Sequence, residues 1–320
     1  MPLMFDMPLE DLKTYPGTNP RPADFDAYWA RALEEMRATD PAAAITPAAF
    51  QAPCAECSDL SFTGVGGARI YAKLMRPKAP AAPGPAVLMF HGYSGSSGDW
   101  LNGLAYAAAG FTVASMDCRG QGGRSEDAGG VRGTTLRGHI IRGLDDEPDK
   151  LLFRQIFLDT AQLARVVTDL DEVDPARVGA TGGSQGGGLT LACAALVPSI
   201  MRAAPTFPFL SDYRRVWEMD QAKGAYGELA EYFRRFDPLH QREDAIFTTL
   251  GYIDVQHLAG RIKAEVSMAV GLMDTTCPPS TQFAAYNKLT SAKSLVTYPD
   301  FAHEALPGLS DRIFQFMLGL

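Results

Sequence analysis

Short apolar runs alternate with longer amphipathic segments along most of the 320-residue chain. Apolar runs of four to eight residues are typical of buried strands, whereas apolar residues that recur every three to four positions are typical of helices. The pattern predicts strands at 59–65, 69–75, 86–90, 112–118, 178–181, 266–270 and 295–298. It predicts helices at 25–36, 99–109, 151–170, 189–196, 279–289 and 311–320. Strands that alternate with helices form βαβ units, so we expect an α/β protein whose mostly parallel sheet is covered by helices on both faces.

Three stretches depart from this alternation. The N-terminal arm, about 1–40, is polar and proline-rich before its helix. Residues 120–150 form a long connection rich in Gly, Arg and Asp, and a connection of this length is usually functional or part of an interface. Residues 211–261 are polar, aromatic and helical in pattern, which predicts a cap-like insertion. Because the sequence contains no linker between domains, we expect residues 1–320 to form a single domain.

Composition and charge narrow the classes of function. With 29 basic and 37 acidic residues the formal net charge is -8, and no dense basic run occurs. Nucleic-acid binding needs a positive footprint, so we expect no nucleic-acid partner. Five cysteines, an odd number, and a start without a basic region or a long apolar core fit a cytoplasmic protein.

One segment has the length of a membrane span. Residues 178–201 are uncharged and long enough to cross a bilayer. A cluster of five glycines within 182–188, together with Pro198, favours a strand, a tight turn and a buried helix instead. We therefore expect no membrane association.

The strongest local signal is the G-x-S-x-G sequence at 182–186, whose central residue is Ser184. A strand-like run precedes it and a helix-like run follows it, which is the context that this motif requires. The sharp turn exposes the serine hydroxyl, and the glycines let the backbone adopt the turn. The motif predicts a nucleophilic serine on an α/β-hydrolase fold, with a glycine-rich turn and an incidental serine as the alternative.

A nucleophilic serine needs a base, and in α/β-hydrolases the histidine follows the serine along the chain. His303 lies in the loop between the strand predicted at 295–298 and the last helix, where this fold presents its base. His257 lies in a helical segment and His240 lies in the cap-like insertion, so neither is the preferred base.

The base in turn needs an acid that orients it. In this fold the acid follows the preceding strand, and Asp274 lies in the turn after the strand predicted at 266–270. Asp274 is therefore the expected acid. Asp300 is the alternative, because it is close to His303 in sequence.

Acyl transfer also needs hydrogen-bond donors for the tetrahedral oxyanion. The backbone N–H of Gln185, directly after Ser184, is one expected donor. The second is the backbone N–H of Tyr93, in the loop after the strand predicted at 86–90. His91 ends that strand, and we expect it to brace the loop rather than to transfer a proton.

No metal or cofactor is expected. Cys54 and Cys57 have the spacing of a metal or redox pair, but no second cysteine pair or histidine pair accompanies them. Two reduced thiols are the preferred interpretation. Cys277 is close to Asp274 in sequence, where it could line the site. The glycine-rich run at 182–188 lacks the Lys-Ser/Thr ending of a phosphate-binding loop.

Three motifs carry a resemblance to a known family. They occur in the order Arg119-Gly120-Gln121, Gly182-Gly183-Ser184-Gln185-Gly186 and His303-Glu304. With them, nearly the whole chain resembles the acetyl xylan esterase / cephalosporin-C deacetylase group, carbohydrate esterase family seven. The resemblance implies a triad of Ser184, His303 and Asp274, oxyanion N–H groups from Tyr93 and Gln185, and no cofactor.

The same resemblance implies a substrate class and an assembly. Members release acetate from small acetylated sugars, such as xylo-oligosaccharides, and from the acetyl ester of cephalosporin C. They are typically intracellular and oligomeric, so we expect a homo-oligomer, a hexamer by resemblance, whose interface includes the loop at 120–150. Six charged residues of this loop could pair across such an interface: Arg132, Arg137, Arg142, Asp145, Asp146 and Glu147.

The substrate pocket is the least defined part of the prediction. Its candidate residues are Arg119, Gln121, Phe207 and Pro208. The family often has a Tyr-Pro-Tyr segment near the pocket where this chain has Phe207-Pro208-Phe209, and a tyrosine cluster where this chain has Leu-Leu-Phe-Arg at 151–154. A carboxylesterase or a prolyl-oligopeptidase-like hydrolase of other specificity is the alternative, because a triad alone does not separate these activities.

Overall fold

The apolar runs form the strands of one mixed sheet in a computed structural model, which describes residues 5–78, 82–133 and 138–320. Within these residues the strand order is β1-β2-β3-β5-β4-β6-β7-β8-β9. The strands are β1 Ala44–Pro47, β2 Ala55–Thr63, β3 Arg69–Pro77, β4 Gly84–Phe90, β5 Thr112–Met116, β6 Val173–Gly183, β7 Ile200–Thr206, β8 Glu265–Gly271 and β9 Lys293–Tyr298. The pairs β1–β2, β2–β3 and β3–β5 are antiparallel, and the remaining pairs are parallel. The prediction of a mostly parallel sheet is confirmed.

The two faces of the sheet are covered by different helices. The helices are α1 Leu9–Leu12, α2 Phe25–Ala38, α3 Leu101–Ala108, α4 Leu152–Thr168, α5 Gln185–Leu196, α6 Tyr213–Glu218, α7 Gly227–Phe236, α8 Glu243–Leu250, α9 Val255–Leu258, α10 Pro279–Asn287 and α11 Leu309–Met317. On β4, Ala86 and Leu88 belong to one buried apolar cluster and Val87 to another, because successive strand side chains point to opposite faces. The first cluster includes α2, α4, α5 and α10, and the second includes α3 and α11.

Two strands were not predicted from the sequence. β1 is a four-residue edge strand whose side chains are all exposed, so it has no buried face to produce an alternating pattern. β7 follows α5 within a few residues and contains Pro205. The apolar stretch at 178–201 thus divides into the end of β6, the whole of α5 and the start of β7. Among the helices that the structure describes, none combines the length and apolar character needed to cross a membrane.

The cap-like insertion contains α6, α7, α8 and α9. Tyr226, Leu229 and Phe247 from this region belong to the same buried cluster as the helices on that face of the sheet. The N-terminal arm docks on the cap through Asp212, whose carboxylate accepts hydrogen bonds from the Tyr15 hydroxyl at 2.8 Å and from the backbone N–H of Asn19 at 2.7 Å. Arm, cap and sheet therefore share one interior.

The long connection between β5 and α4 has many of its charges paired within the chain. Arg142 Nε lies 2.6 Å from an Asp127 carboxylate oxygen. Asp145 accepts hydrogen bonds from the Tyr232 hydroxyl at 2.5 Å and from Arg242 at 3.0 Å, which joins the connection to α7 and the turn after it. Arg137, one of the charged residues expected at an interface, lies outside the described residues.

Candidate active site

Ser184 occupies the sharp turn between β6 and α5. Its backbone has φ 58° and ψ -121°, a positive φ that costs free energy for any residue with a side chain. Two hydrogen bonds hold this turn: the Ser184 N–H donates to the Thr206 carbonyl, and the Ser184 carbonyl accepts from the Phe209 N–H, both at 3.0 Å. A Cβ at Gly186 would lie 2.1 Å from the carbonyl oxygen of Phe90. The glycine therefore allows α5 to begin directly against the end of β4.

His303 and Asp274 come together beside this turn. The His303 Nδ1 lies 2.8 Å from Asp274 Oδ2, with Asp274 fully buried and 22% of the His303 side chain exposed. Asp274 Oδ1 accepts the backbone N–H groups of Thr276 and Cys277 at 2.9 and 2.8 Å. With Nδ1 protonated toward the carboxylate, Nε2 of the imidazole is the basic nitrogen. The hydrogen bond goes to Asp274, the acid preferred from the sequence over Asp300.

Cys277 is the neighbour of this group that sequence reasoning could not assign. Burial and then the charge of Asp274 raise the pKa of its thiol, and a hydrogen bond with the Ser184 side chain acts in the opposite direction. Among the described residues, one cluster brings three potential metal ligands within 4.8 Å of one another, and it consists of Asp274, Cys277 and His303. Because His303 and Asp274 already bind each other, we interpret the cluster as part of an acid–base site.

Two glutamine side chains tie the Tyr93 loop to the start of α5. The Ser94 N–H donates to Gln121 Oε1 at 2.9 Å, and Gln121 Nε2 donates to Gln185 Oε1 at 2.9 Å. Gln185 is fully buried and Ser94 has a positive φ of 57°. The Gln121 amide thus joins the two segments whose backbone N–H groups the sequence predicts as oxyanion donors.

Arg119 is held inside the protein. Its guanidinium makes a two-pronged ion pair with Asp159 of α4, at 2.7 and 2.6 Å, and donates to the Val65 carbonyl at 3.1 Å. Both side chains are almost completely buried. The structure therefore gives Arg119 a bracing position at the start of the long connection, and its charge is not free for a substrate.

His91 also braces the loop that follows β4. Its Nε2 accepts the Cys118 N–H at 2.9 Å, and its Nδ1 lies 2.7 Å from the Gly92 carbonyl oxygen. Burial lowers the pKa of the imidazole, which keeps it neutral. These contacts fit the structural role expected from the sequence.

The two apolar pocket candidates lie beside His303 and the turn at Ser184. The Phe207 ring packs on the His303 imidazole, and a Cβ at Gly183 would lie 3.4 Å from the same ring. Pro208 is buried against the first turn of α5, where its Cα would lie 3.0 Å from a Cβ at Gly187. Phe207 therefore contacts the imidazole directly, whereas Pro208 packs against the first turn of α5.

The remaining candidates have other surroundings. Burial lowers the pKa of His257 to about 4, and its ring packs edge-on against Phe25. His240 lies 3.1 Å from a carboxylate oxygen of Glu243. Cys54 is partly exposed, Cys57 is buried, and both are free thiols. None of them contributes a ligand atom to the cluster around Asp274.

Comparison with known proteins identifies the family. The acetyl xylan esterase (AXE1) family model matches residues 1–320. Acetyl esterase Axe7A from Xylanibacter ruminicola is 29% identical over 283 residues, which cover 86% of this chain. The chain spans 62% of the length of that curated relative.

Two solved structures match nearly the whole chain. Acetyl xylan esterase 1 from Thermoanaerobacterium sp. JW/SL YS485 is 60% identical with a TM-score of 0.97, and the match covers 98% of this chain and 99% of that one. The acetyl xylan esterase from Paenibacillus sp. R4 is 36% identical with a TM-score of 0.94 and the same coverage. The predicted α/β-hydrolase fold is confirmed, and the chain belongs to the acetyl xylan esterase family.

Proposed function

We propose that this protein is a serine esterase that removes acetyl groups from small acetylated carbohydrates, such as xylo-oligosaccharides, and from cephalosporin C. One observation carries the proposal: the His303–Asp274 hydrogen bond of 2.8 Å lies beside a serine at the turn between β6 and α5. Family membership supports the acetyl ester as the substrate class. The chemistry needs no metal or cofactor.

In the proposed mechanism, the Ser184 hydroxyl attacks the acetyl carbonyl carbon while its proton passes to Nε2 of His303. Asp274 stays ionised and stabilises the imidazolium through Nδ1–H. The backbone N–H groups of Tyr93 and Gln185 bind the oxyanion of the tetrahedral intermediate. The C–O bond to the sugar then breaks, the sugar oxygen takes the proton from His303, and the acetyl group remains on Ser184.

Water completes the cycle. His303 removes a proton from the water molecule as its oxygen attacks the acetyl-enzyme, and collapse of the second tetrahedral intermediate returns the proton to Ser184 and releases acetate. The fixed tautomer of His303 lets the same nitrogen act first as base and then as acid within each half-reaction. Asp274, buried and held by the N–H groups of Thr276 and Cys277, keeps the imidazole in this tautomer.

Initial rates with three substrate classes test the proposal. We expect acetylated xylo-oligosaccharides and cephalosporin C to be deacetylated, and aryl esters to react more slowly as the acyl chain lengthens from acetyl to butyryl. Rapid cleavage of butyryl esters would favour a general carboxylesterase, and cleavage of peptides would favour a peptidase. Mass spectrometry of the quenched enzyme should detect a 42 Da acetyl adduct that Ser184→Ala lacks.

We further propose that the protein works as a homo-oligomer in a reducing compartment such as the cytoplasm. The supports are the family resemblance, the length of the connection between β5 and α4, and five cysteines that are all free thiols. Ordering so long a connection costs conformational entropy, which contacts with another subunit can offset. Light scattering should give a mass that is a multiple of 34.5 kDa. A monomer at micromolar concentration would contradict the assembly, and cell fractionation tests the compartment.

A further inference from the structure

Residues 139–141 of the long connection lie between the cap and the loop that carries Tyr93. On the cap side, Glu228 of α7 accepts the backbone N–H groups of Ile140 at 2.7 Å and Ile141 at 3.2 Å through one carboxylate oxygen, Oε2. The His139 N–H donates to the Tyr93 hydroxyl at 3.1 Å, and it also acts on the Glu228 carboxyl. His139 Nε2 also lies 3.1 Å from Ser94 Oγ. A continuous set of contacts therefore runs from a cap carboxylate to the expected oxyanion loop.

The Glu228 carboxylate is buried at a cost in free energy. Only 7% of the residue is exposed, and Oε1 is buried with no hydrogen-bond partner among the described residues. Burial raises the pKa of this carboxyl to about 7, although the backbone N–H groups act in the opposite direction. A buried carboxylate with an unpaired oxygen is a poor source of stability, so its position calls for another explanation.

Gly138 makes this arrangement possible. Its φ is 105°, and a Cβ there would lie 2.2 Å from the carboxyl carbon of Glu228. Any other residue at this position would push the carboxylate away from the N–H groups that it binds. The chain therefore combines a backbone conformation that favours glycine with a buried acid at the same contact.

The Tyr93 side chain is fixed by the segment that Glu228 holds. The phenol ring lies 4.9 Å from the His139 ring and 5.5 Å from Phe209, measured between centroids. Its hydroxyl accepts the His139 N–H, and the next residue is bound by Gln121 through its own N–H. With both the side chain and the following peptide fixed, the backbone N–H of Tyr93 has a defined direction.

We propose that Glu228 is a positioning residue for the deacetylation reaction, which holds segment 139–141 so that the His139 N–H fixes Tyr93 and, with it, one oxyanion donor. The inference rests on the proposed serine mechanism. Glu228 touches neither the substrate nor the reacting atoms. Its effect is therefore confined to how well the site binds the tetrahedral oxyanion.

The test compares Glu228→Ala with Glu228→Gln, which keeps an oxygen that can accept the two N–H groups. The matched control is Asp145→Asn, because Asp145 joins the same connection to the same helix through Tyr232 but has no contact with the Tyr93 loop among those described. For each variant we would measure kcat and KM on an aryl acetate, inhibition by an alkyl boronic acid, which mimics the tetrahedral intermediate, inhibition by acetate, and Tm.

Misplacing a catalytic donor by about 1 Å costs on the order of 100-fold in rate. We therefore expect Glu228→Ala to lower kcat by about 10- to 100-fold with KM within twofold of wild type. Boronate binding should weaken by a similar factor while acetate binding is unchanged. Glu228→Gln should keep at least half of kcat, and Asp145→Asn should lower Tm without lowering kcat.

Equal losses of kcat in Glu228→Ala and Asp145→Asn, or equal weakening of boronate and acetate, would overturn the inference. If Glu228→Ala does not fold, Tyr93→Phe removes the acceptor of the His139 N–H and must show the same selective loss of boronate binding. Ser184→Ala separates the two proposals. Activity in Ser184→Ala would refute the serine mechanism, whereas an inactive Ser184→Ala beside an unaffected Glu228→Ala and Tyr93→Phe would refute the positioning role alone.

Discussion

The aromatic ring of Phe207 packs against the imidazole of His303, with the ring centroids 4.4 Å apart and the planes inclined at 49°. The Phe207 backbone is held by its N–H, which donates to the Ala269 carbonyl at 2.7 Å. Its φ is positive, at 32°. An apolar wall of this kind restricts the imidazole and keeps water from one side of it. The resemblance to the family implies a tyrosine-containing segment at this position.

Two substitutions of Phe207 should separate its effect on the orientation of His303 from its effect on binding of the sugar. We expect Phe207→Ala to lower kcat on an aryl acetate by roughly 10-fold, because a loosened imidazole loses part of its orientation. Phe207→Tyr keeps the wall and adds a hydroxyl, so it should lower KM for acetylated xylobiose with little change for the aryl acetate. Steady-state kinetics on both substrates check this. Unchanged kcat in Phe207→Ala would show that the ring does not orient His303.

The triad assignment predicts a sharp difference between two histidines. Ser184→Ala and His303→Ala should each lose about 10⁴-fold or more in kcat, as expected when a triad member is removed. His257→Ala should keep wild-type kcat, because His257 packs in the interior against Phe25. Assays on purified, folded variants decide the matter. A His303→Ala variant with a tenth of wild-type activity would exclude it as the base.

The Arg119–Asp159 ion pair should matter for stability more than for the chemical step. Asp159→Asn leaves a buried guanidinium without its counter-charge, which typically costs about 3–5 kcal/mol. We expect a lower midpoint in urea unfolding, with kcat of the folded fraction retained within about threefold. If instead KM for the sugar ester rises and stability is unchanged, Arg119 acts as a pocket residue.

The buried carboxyl of Asp254 predicts a dependence of stability on pH. Burial, then the nearby charge of Asp212, raises the pKa of Asp254 to about 7, against about 3.9 in the unfolded chain. Between these values the folded state holds a proton that the unfolded state has lost. The stabilisation from this group is therefore complete below about pH 4 and is lost as the pH rises through about 7.

Asp254→Asn removes that titration. The free energy of unfolding of this variant, minus that of the wild type, should increase as the pH rises from 4.5 to 8. Urea unfolding of both proteins at several pH values measures this difference, in which contributions from all other groups cancel. A difference that does not change with pH would contradict the raised pKa.

Removal of metals should leave the enzyme active, because the proposed mechanism uses only protein groups. Dialysis against EDTA, with dithiothreitol as a second treatment, is expected to keep kcat within experimental error. Loss of activity that zinc restores would assign a metal to Asp274, Cys277 and His303. Cys277→Ser is the matched variant, since it would weaken such a site while leaving the hydrogen bond between His303 and Asp274.

The sequence was most informative where local physics determines the structure. The G-x-S-x-G motif predicted the position of Ser184, and the strand ends predicted where Asp274 and His303 would lie, because the carboxyl ends of parallel strands meet at one edge of the sheet. The sequence could not show that the Arg119 guanidinium forms an ion pair with Asp159, since this contact depends on how α4 packs. Nothing in the sequence marked Glu228 as a functional residue either, because acidic residues are common in the first turn of an amphipathic helix.

The binding of the N-terminal arm to Asp212 has a consequence for how the chain folds. The hydrogen bonds from Tyr15 and Asn19 span 197 and 193 positions of sequence, and contacts of such long separation form late because loop closure must come first. During synthesis the arm leaves the ribosome before any residue that it binds. Tyr15 and Asn19 must therefore wait for the cap, and a chain that stops short of residue 212 leaves both of them without this partner.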